Sequence, residues 1–355
     1  MSKQYINEAF WLRAISCLAV AVTHAVNTTL ANYEHTASEL SEHILILIRF
    51  MAFFGTPAFV FISELLLAKA YPNHVPEDFF KKRVMFLLIP FISIGILFAL
   101  VISHSWEEAL LQSFKHIFLG GYYGYFILII FQFYILHVLL QGYLKKWSPK
   151  VVLPIALIIN LIYLGFFNFT EPGSSPVAEY IWLRGYWVPF FGWIFYFVLG
   201  YYCGKNYEAL KALLLRHKWK VLVMPPVSIV LLVLLVTSDI LSVVSSKRID
   251  MLLYTVSMIF VIILFTMRFD YVPPFIRLIS KYSFNIYLLH KFFLFYMGPV
   301  EFLHPLLYFI AVFILSVGAS ILLAKLLSPI KISQYVIGRQ LVVPDAVKGE
   351  KMKKN

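Results

Sequence analysis

Apolar residues in this chain fall into runs of about twenty, separated by short polar and basic segments, and that rhythm sets the expected fold. About 20 consecutive apolar residues, wound as a helix, cross the ~30 Å hydrocarbon core of a bilayer. Ten such runs occur, over residues 8–30, 43–68, 83–104, 120–143, 151–169, 187–204, 219–238, 250–268, 277–298 and 305–327. The ninth, RLISKYSFNIYLLHKFFLFYMG, is the least apolar because Lys281, Asn285, His290 and Lys291 interrupt it. It is kept as a span because the distribution of lysine and arginine requires it. The expected fold is therefore an all-α, polytopic integral membrane protein of about ten transmembrane helices.

Charge orients these spans. If the N-terminus is cytoplasmic, the inner loops and both termini hold 23 of the 30 Lys and Arg residues, whereas the outer loops hold Lys115, Arg184, Lys247 and Arg248. Acidic residues lean outward, among them Glu34, Glu39, Glu107 and Glu179. Positive loops stay inside, so both termini are expected in the cytoplasm of a multi-pass plasma-membrane protein. Trp106, Trp182 and Trp187 would mark the outer interface and Trp11, Trp147 and Trp219 the inner one. Residues 1–331 read as one transmembrane domain, and 332–355 as a basic cytoplasmic tail near anionic lipid.

Composition agrees with this reading. Of 355 residues, 61% are hydrophobic, 18% aromatic and only 14% charged. The net charge of +12 is spread through short loops, which argues against a nucleic-acid partner and for a membrane one. Cys17 and Cys203 both lie in apolar runs and suggest neither a disulfide framework nor a metal site. The first run lacks a small-residue cleavage pattern and contains Arg13, so it is expected to remain as a span rather than leave as a signal peptide.

Ionisable residues inside spans are costly, which makes them candidates for function. Arg13 and His24 share the first span eleven positions apart. At about 100° per residue they project from nearly the same helix face, separated by about 16 Å along the axis. His24 and Arg49 fall at similar outer depths in consecutive spans and could face one outer cavity. Glu64 falls level with Arg13 near the inner surface, and a pair between them would lower the cost of both charges. Plainer readings stand beside these: His24 as a helix-to-helix hydrogen-bond partner, Arg13 as a snorkelling side chain, and Arg49, Glu64 and His290 as structural pairs. Tyr122 and Tyr123 follow Gly120 and Gly121 at the outer end of the fourth span. They suit an interfacial aromatic belt or a platform on which a sugar stacks.

The ordered series of motifs resembles the membrane-bound acyltransferase 3 family. Arg13, ten intervening residues and His24 match its first-helix pattern, followed by FGTPAFVFIS in the second span, FFKKRVMFLLIPF at 79–91 and KYSFNIYLLH at 281–290. Likeness to family members of exopolysaccharide and biofilm systems continues through GYYGYFILIIFQF at 121–133, FGWIFYFVLGYYCGKNYE at 191–208 and VIGRQ at 336–340. The chain departs from the family at Phe86, where a second arginine often stands three positions after Arg83, and at Glu64, where many members have glycine.

The resemblance implies an O-acyltransferase that moves an acetyl or succinyl group from a cytoplasmic acyl-coenzyme A to a hydroxyl of a cell-envelope glycan or exopolysaccharide. Acyl-coenzyme A is then a co-substrate, with no bound cofactor and no metal. By position, His24 matches the family's essential histidine and Arg13 its partner. Arg49 is a candidate for an acyl carboxylate or an oxyanion, and Lys82 and Arg83 for coenzyme A phosphates, unless their run only signals orientation. Glu64, Tyr122, Tyr123 and His290 complete the candidate substrate-binding set. Two other classes remain open: a polysaccharide exporter or flippase, and an accessory subunit of a glycan synthase.

Overall fold

A computed structural model describes residues 6–241 and 243–343, and residues 344–355 of the expected tail lie outside the described residues. The first half of the chain forms α1 (Asn7–Asn32), α2 (Glu39–Ala52), α3 (Gly55–Ala70), α4 (Phe79–Arg83), α5 (Ile89–Ile102), α6 (Trp106–Phe118), α7 (Phe126–Lys146) and α8 (Pro149–Phe169). The second half adds α9 (Pro176–Leu183), α10 (Ile194–Lys205), α11 (Tyr207–Arg216), α12 (Lys218–Thr237), α13 (Met251–Thr266), α14 (Pro274–Phe295), α15 (Pro305–Leu327) and α16 (Ser333–Val336). Each of the ten expected spans contains a helix, and α6, α9, α11 and α16 occupy the connecting segments.

Among the described residues, seven helical segments are long and apolar enough to cross a membrane, which makes this a multi-pass membrane protein. The other three expected spans are α10, α13 and α14. The sixth run differs most from expectation, since its helix has only 12 residues and begins at Ile194. Its first part folds instead into short turns at Gly185–Trp187 and Phe190–Gly192. A helix of that length reaches ~18 Å, too short for the hydrocarbon layer. It survives because protein encloses it: every residue from Tyr196 to Gly204 is buried.

The contact that encloses α10 is made by glycine. Gly200 and Gly204 are one turn apart and press against α3, so closely that a Cβ at Gly200 would lie 2.6 Å from the Phe61 carbonyl oxygen and one at Gly204 2.2 Å from that of Leu65. Small residues at this spacing let two backbones approach where lipid supplies no hydrophobic drive between helices. On its other side α3 meets α1 at Gly55, whose added Cβ would lie 2.7 Å from the Ser16 carbonyl oxygen. The helix α1 is thus a central strut, packed against α2, α3, α13, α14 and α15.

Two prolines shape the helices around this strut. Pro57 has no N–H for the Phe53 carbonyl, and the helix is interrupted at Phe53–Phe54 between α2 and α3. Pro90 likewise cannot serve Phe86, and residues Val84–Leu88 take a wider π-helical turn between α4 and α5. Both ends of the described chain pack near the start of α14, one on the loop that precedes it and one on its second turn. Asn7 Nδ2 donates to the Asp270 carbonyl at 3.2 Å, and Leu341 N donates to the Lys281 carbonyl at 2.9 Å. We call this the proximal face and the opposite one the distal face.

Gly204→Ala is expected to lower the thermal midpoint of the protein in detergent, with an overpacking cost of about 1–3 kcal/mol. The matched control is Gly165→Ala on α8, where an added Cβ meets nothing within 4 Å. Equal midpoints for the two variants would refute the close-contact account of α10.

Candidate active site

Polar side chains inside the helix bundle gather into two cavities, one toward each face. The distal cavity has a volume of about 550 Å³. From α1 it receives His24 and Asn27, and from α2 Arg49. Arg49 Nη1 donates to Asn27 Oδ1 at 3.1 Å, while its Nε is buried without a hydrogen-bond partner. The helix interruption at Phe53 brings Ala52, Phe53 and Thr56 into the same wall.

Behind His24 stands His290 of α14, with ring centroids 5.1 Å apart. His290 Nδ1 lies 2.7 Å from the Ile286 carbonyl, which can only accept, so Nδ1 carries the proton and donates. Its other nitrogen, Nε2, is buried without a hydrogen-bond partner. Tyr123 packs edge-on against both imidazoles, at 6.4 Å from His24 and 5.7 Å from His290. His116 of α6 closes another side, its Nδ1 donating to the Gly95 carbonyl at 2.8 Å.

Four cationic side chains line this cavity, Arg49, Arg184, Lys247 and Lys291, and no carboxylate does among the described residues. Lys247 is held by aromatic rings, its ammonium 3.6 Å from the Trp187 centroid and 5.0 Å from that of Tyr125. Burial pushes its pKa well down, and the nearby Arg184 guanidinium adds to the shift. Arg248, next to Lys247 in the chain, is structural. It is buried, forms a bidentate pair with Asp250 at 2.9 Å and donates to the carbonyls of Leu241 and Val243.

The proximal cavity, of about 300 Å³, is lined by Arg13, Arg83, Tyr71, Tyr134, Ser63 and Leu341 among others. Arg83 lies over the rings of Phe79 and Tyr134, at 5.0 and 4.9 Å. Phe126 and Tyr287 line both cavities and so form the partition between them. Tyr287 is fixed there by its hydroxyl, which donates to the Tyr123 carbonyl at 2.8 Å.

The structure sorts the residues singled out from sequence. Arg13 and His24 do share α1 but open into different cavities, whereas Arg49 does face His24's cavity. The anticipated Arg13–Glu64 pair is not formed. On α3, Ser63, Leu66, Leu67 and Ala70 make the cavity-facing stripe, and Glu64 is turned about 100° away from Ser63. Its Oε1 instead meets His137 Nδ1 of α7 at 2.6 Å, in a buried pair sealed by α10. Lys82 and Arg83 also part company, since Lys82 is exposed and paired with Asp78 one turn earlier while Arg83 turns inward. Tyr122 and Tyr123 are 2% and 7% exposed, so they are cavity wall rather than interfacial belt. Their hydroxyls are committed to the carbonyls of Phe91 and Leu288, both at 2.7 Å, leaving ring faces rather than hydroxyls for a ligand.

Sequence reasoning passed over His116, Arg184 and Lys247 as site residues, and His137 as the partner of Glu64. A signal existed for two of them. Arg184 and Lys247 are outer-loop cations standing against the inside-positive bias. His116 and His137 carried none, because their roles depend on which helices pack together.

An anion in the distal cavity is expected to raise the thermal midpoint of the detergent-solubilised protein, because it binds only the folded form. Succinate is the probe. Binding favours protonated Lys247, so the stabilisation should grow as pH falls and fade as pH rises through the depressed pKa of this amine. Lys247→Gln should shrink the shift and remove its part of the pH dependence. No shift with succinate in the unaltered protein would refute anion binding here.

Comparison with known proteins agrees with this architecture. The acyltransferase 3 family model, described as an acyltransferase domain, matches residues 5–325. The chain is 41% identical over 300 residues, 81% of each chain, to the "Putative membrane-bound acyltransferase YfiQ" of Bacillus subtilis (strain 168). It is 31% identical over 351 residues, 94% of this chain and 96% of the relative, to the "Probable poly-beta-1,6-N-acetyl-D-glucosamine export protein" of Staphylococcus aureus (strain MRSA252). A protein of the same name from Staphylococcus epidermidis is 31% identical over 349 residues, 94% of each chain. No solved structure matches. With a family match that runs through nearly all of its helices, the chain belongs to the membrane-bound acyltransferase 3 family.

Proposed function

We propose that the protein is a plasma-membrane O-acyltransferase that moves an acyl group from a cytoplasmic acyl-coenzyme A to a hydroxyl of a cell-envelope glycan or exopolysaccharide. The observation that carries this reading is His24, placed in a cavity with four basic side chains and, among the described residues, no carboxylate, and backed by the unpartnered Nε2 of His290. The acceptor enters from the distal face, taken as extracytoplasmic, and the donor from the proximal face. The thioester end passes the partition of Phe126 and Tyr287 to reach His24.

In the transfer, neutral His24 takes the proton from the sugar hydroxyl as its oxygen attacks the thioester carbonyl. Arg49 and Lys291 offset the oxyanion that forms. The C–S bond then breaks, and the thiolate leaves with the proton held by His24. A positioned general base of this kind contributes ~10² to 10⁴-fold in rate. His290 Nε2, with Nδ1 already donating, is the lone pair available to the imidazolium of His24. Tyr122 and Tyr123 offer ring faces against which a sugar stacks.

The charge of the cavity favours a succinyl group over an acetyl group. A free carboxylate on the acyl chain gives Arg49, Arg184 and Lys247 a partner, and a buried cation without one is costly. The names of the staphylococcal relatives support a second reading, polysaccharide export. Export predicts that loss of the protein removes surface polymer, whereas acyl transfer predicts polymer that persists without its ester.

Mass analysis of envelope glycans from cells producing His24→Ala at matched membrane levels tests the proposal. The expected outcome is retained polymer with ester content reduced ~100-fold or more, the range of a lost general base. Unchanged ester content would remove His24 from the mechanism, and absent polymer would favour export.

A further inference from the structure

The C-terminal segment does not trail away from the bundle. Past α15 the chain folds back across the proximal face as a strap over residues 333–343. Asn285 Nδ2 donates to the carbonyls of Ile337 and Gly338 at 2.8 and 2.9 Å, and Ser93 Oγ donates to that of Tyr335 at 3.3 Å. Tyr335 stacks on Phe86 with centroids 5.8 Å apart. Gly338 has φ +87° and lies so close to α14 that a Cβ would be 2.5 Å from Phe284 Cδ1, so this turn requires glycine.

The strap walls a third cavity, of about 490 Å³, whose charged lining is Lys281, Lys331 and Arg339. Ser328, Ser333 and Gln340 also line it, their side chains donating to the carbonyls of Lys325, Ile330 and Ala324, and no carboxylate lines it among the described residues. Arg339 and Lys331 are exposed to its space. The guanidinium of Arg339 lies 5.1 Å from the centroid of Phe86, beside the π-helical turn that follows Arg83. Leu341 lines this cavity and the proximal cavity alike, so the two adjoin.

We propose that this strap cavity is the subsite for the phosphate groups of the acyl donor, with the uncharged arm and thioester of the same molecule lying in the adjoining proximal cavity. The inference rests on the acyl-coenzyme A reading above and adds to it the residues that hold the nucleotide end. Three cations, with no carboxylate among the described lining residues, suit phosphate oxygens. The proximal cavity, aromatic and aliphatic apart from Arg13, Arg83 and a few hydroxyls, suits a long arm that carries the thioester. The continuity at Leu341 fits one elongated ligand with a polyanionic head and a thioester tail. Arg339, brought by the strap to the ring of Phe86, adds a cation one turn beyond those that end α4.

The full-length protein in phosphatidylcholine nanodiscs, a neutral lipid that leaves no anionic headgroup to compete, tests this by calorimetric titration with coenzyme A and with pantetheine, which lacks the phosphates. The unaltered protein is expected to bind coenzyme A more tightly than pantetheine. Arg339→Gln combined with Lys331→Gln should weaken coenzyme A by ~10-fold or more, the scale of a lost charge-assisted hydrogen bond, and leave pantetheine unchanged. Unchanged coenzyme A affinity in this variant would overturn the phosphate subsite while leaving the acyltransferase reading in place. Equal weakening of both ligands would overturn it too, by assigning the strap to the shape of the mouth. No binding of coenzyme A to the unaltered protein would overturn both the subsite and the coenzyme A donor. Arg216→Gln on α11, an exposed cation outside all three cavities, is the control and should bind both ligands normally.

Discussion

The cost of holding charge in a low-dielectric interior governs this structure. A bundle that passes through hydrocarbon can keep ionisable side chains only where they find partners or where a cavity gives them a polar surrounding. Both solutions occur here, and they are kept apart. Glu64 with His137, and Arg248 with Asp250, are buried pairs, although Glu64 Oε2 and His137 Nε2 keep no hydrogen-bond partner of their own. Arg13 and Arg83 in one cavity, and Arg49, Arg184, Lys247 and Lys291 in another, have no carboxylate beside them among the described residues of those walls.

Holding those cavities open is a backbone problem. Helices that meet through large side chains would fill the interior, so the bundle draws its backbones together at one place and bends them at others. Close contact at Gly200 and Gly204 fixes α10 on α3, and Gly55 fixes α3 on α1. The bends at Pro57 and Pro90 then let consecutive helices diverge, one beside His24 and the other beside Arg83. The partition of Phe126 and Tyr287 lies between these two openings. One charged chamber thus lies on each side of that partition.

Much of this was legible in the linear pattern. Each of the ten apolar runs holds a helix, because backbone groups in hydrocarbon have no other way to be satisfied. The short sixth helix was read as a full span because hydropathy reports apolar character and not its length in space. Arg49 could be placed with His24 from depth alone, since consecutive helices joined by a short loop lie side by side. Glu64 could not be placed that way. Its depth matched Arg13, but its side chain points about 100° from the cavity-facing stripe of α3, and a depth argument carries no azimuth. Lys82 and Arg83, adjacent in sequence, diverge for the same reason.

By itself the sequence determined the class of protein, the number of apolar helices and, through its ordered motifs, the family. These follow from properties that add along the chain: hydropathy, spacing and loop charge. Tertiary structure alone decided which charges share a chamber. Arg184, Lys247 and Lys291 come from a loop after α9, a loop before α13 and the body of α14, and meet only because α1, α7 and α14 pack around one space. The fold of residues 333–343 against Phe86 and Phe284 was equally hidden, since a short polar segment with one glycine has no period of its own. What holds it is the side-chain amide of Asn285, donating to carbonyls some fifty residues away, and a left-handed turn at Gly338.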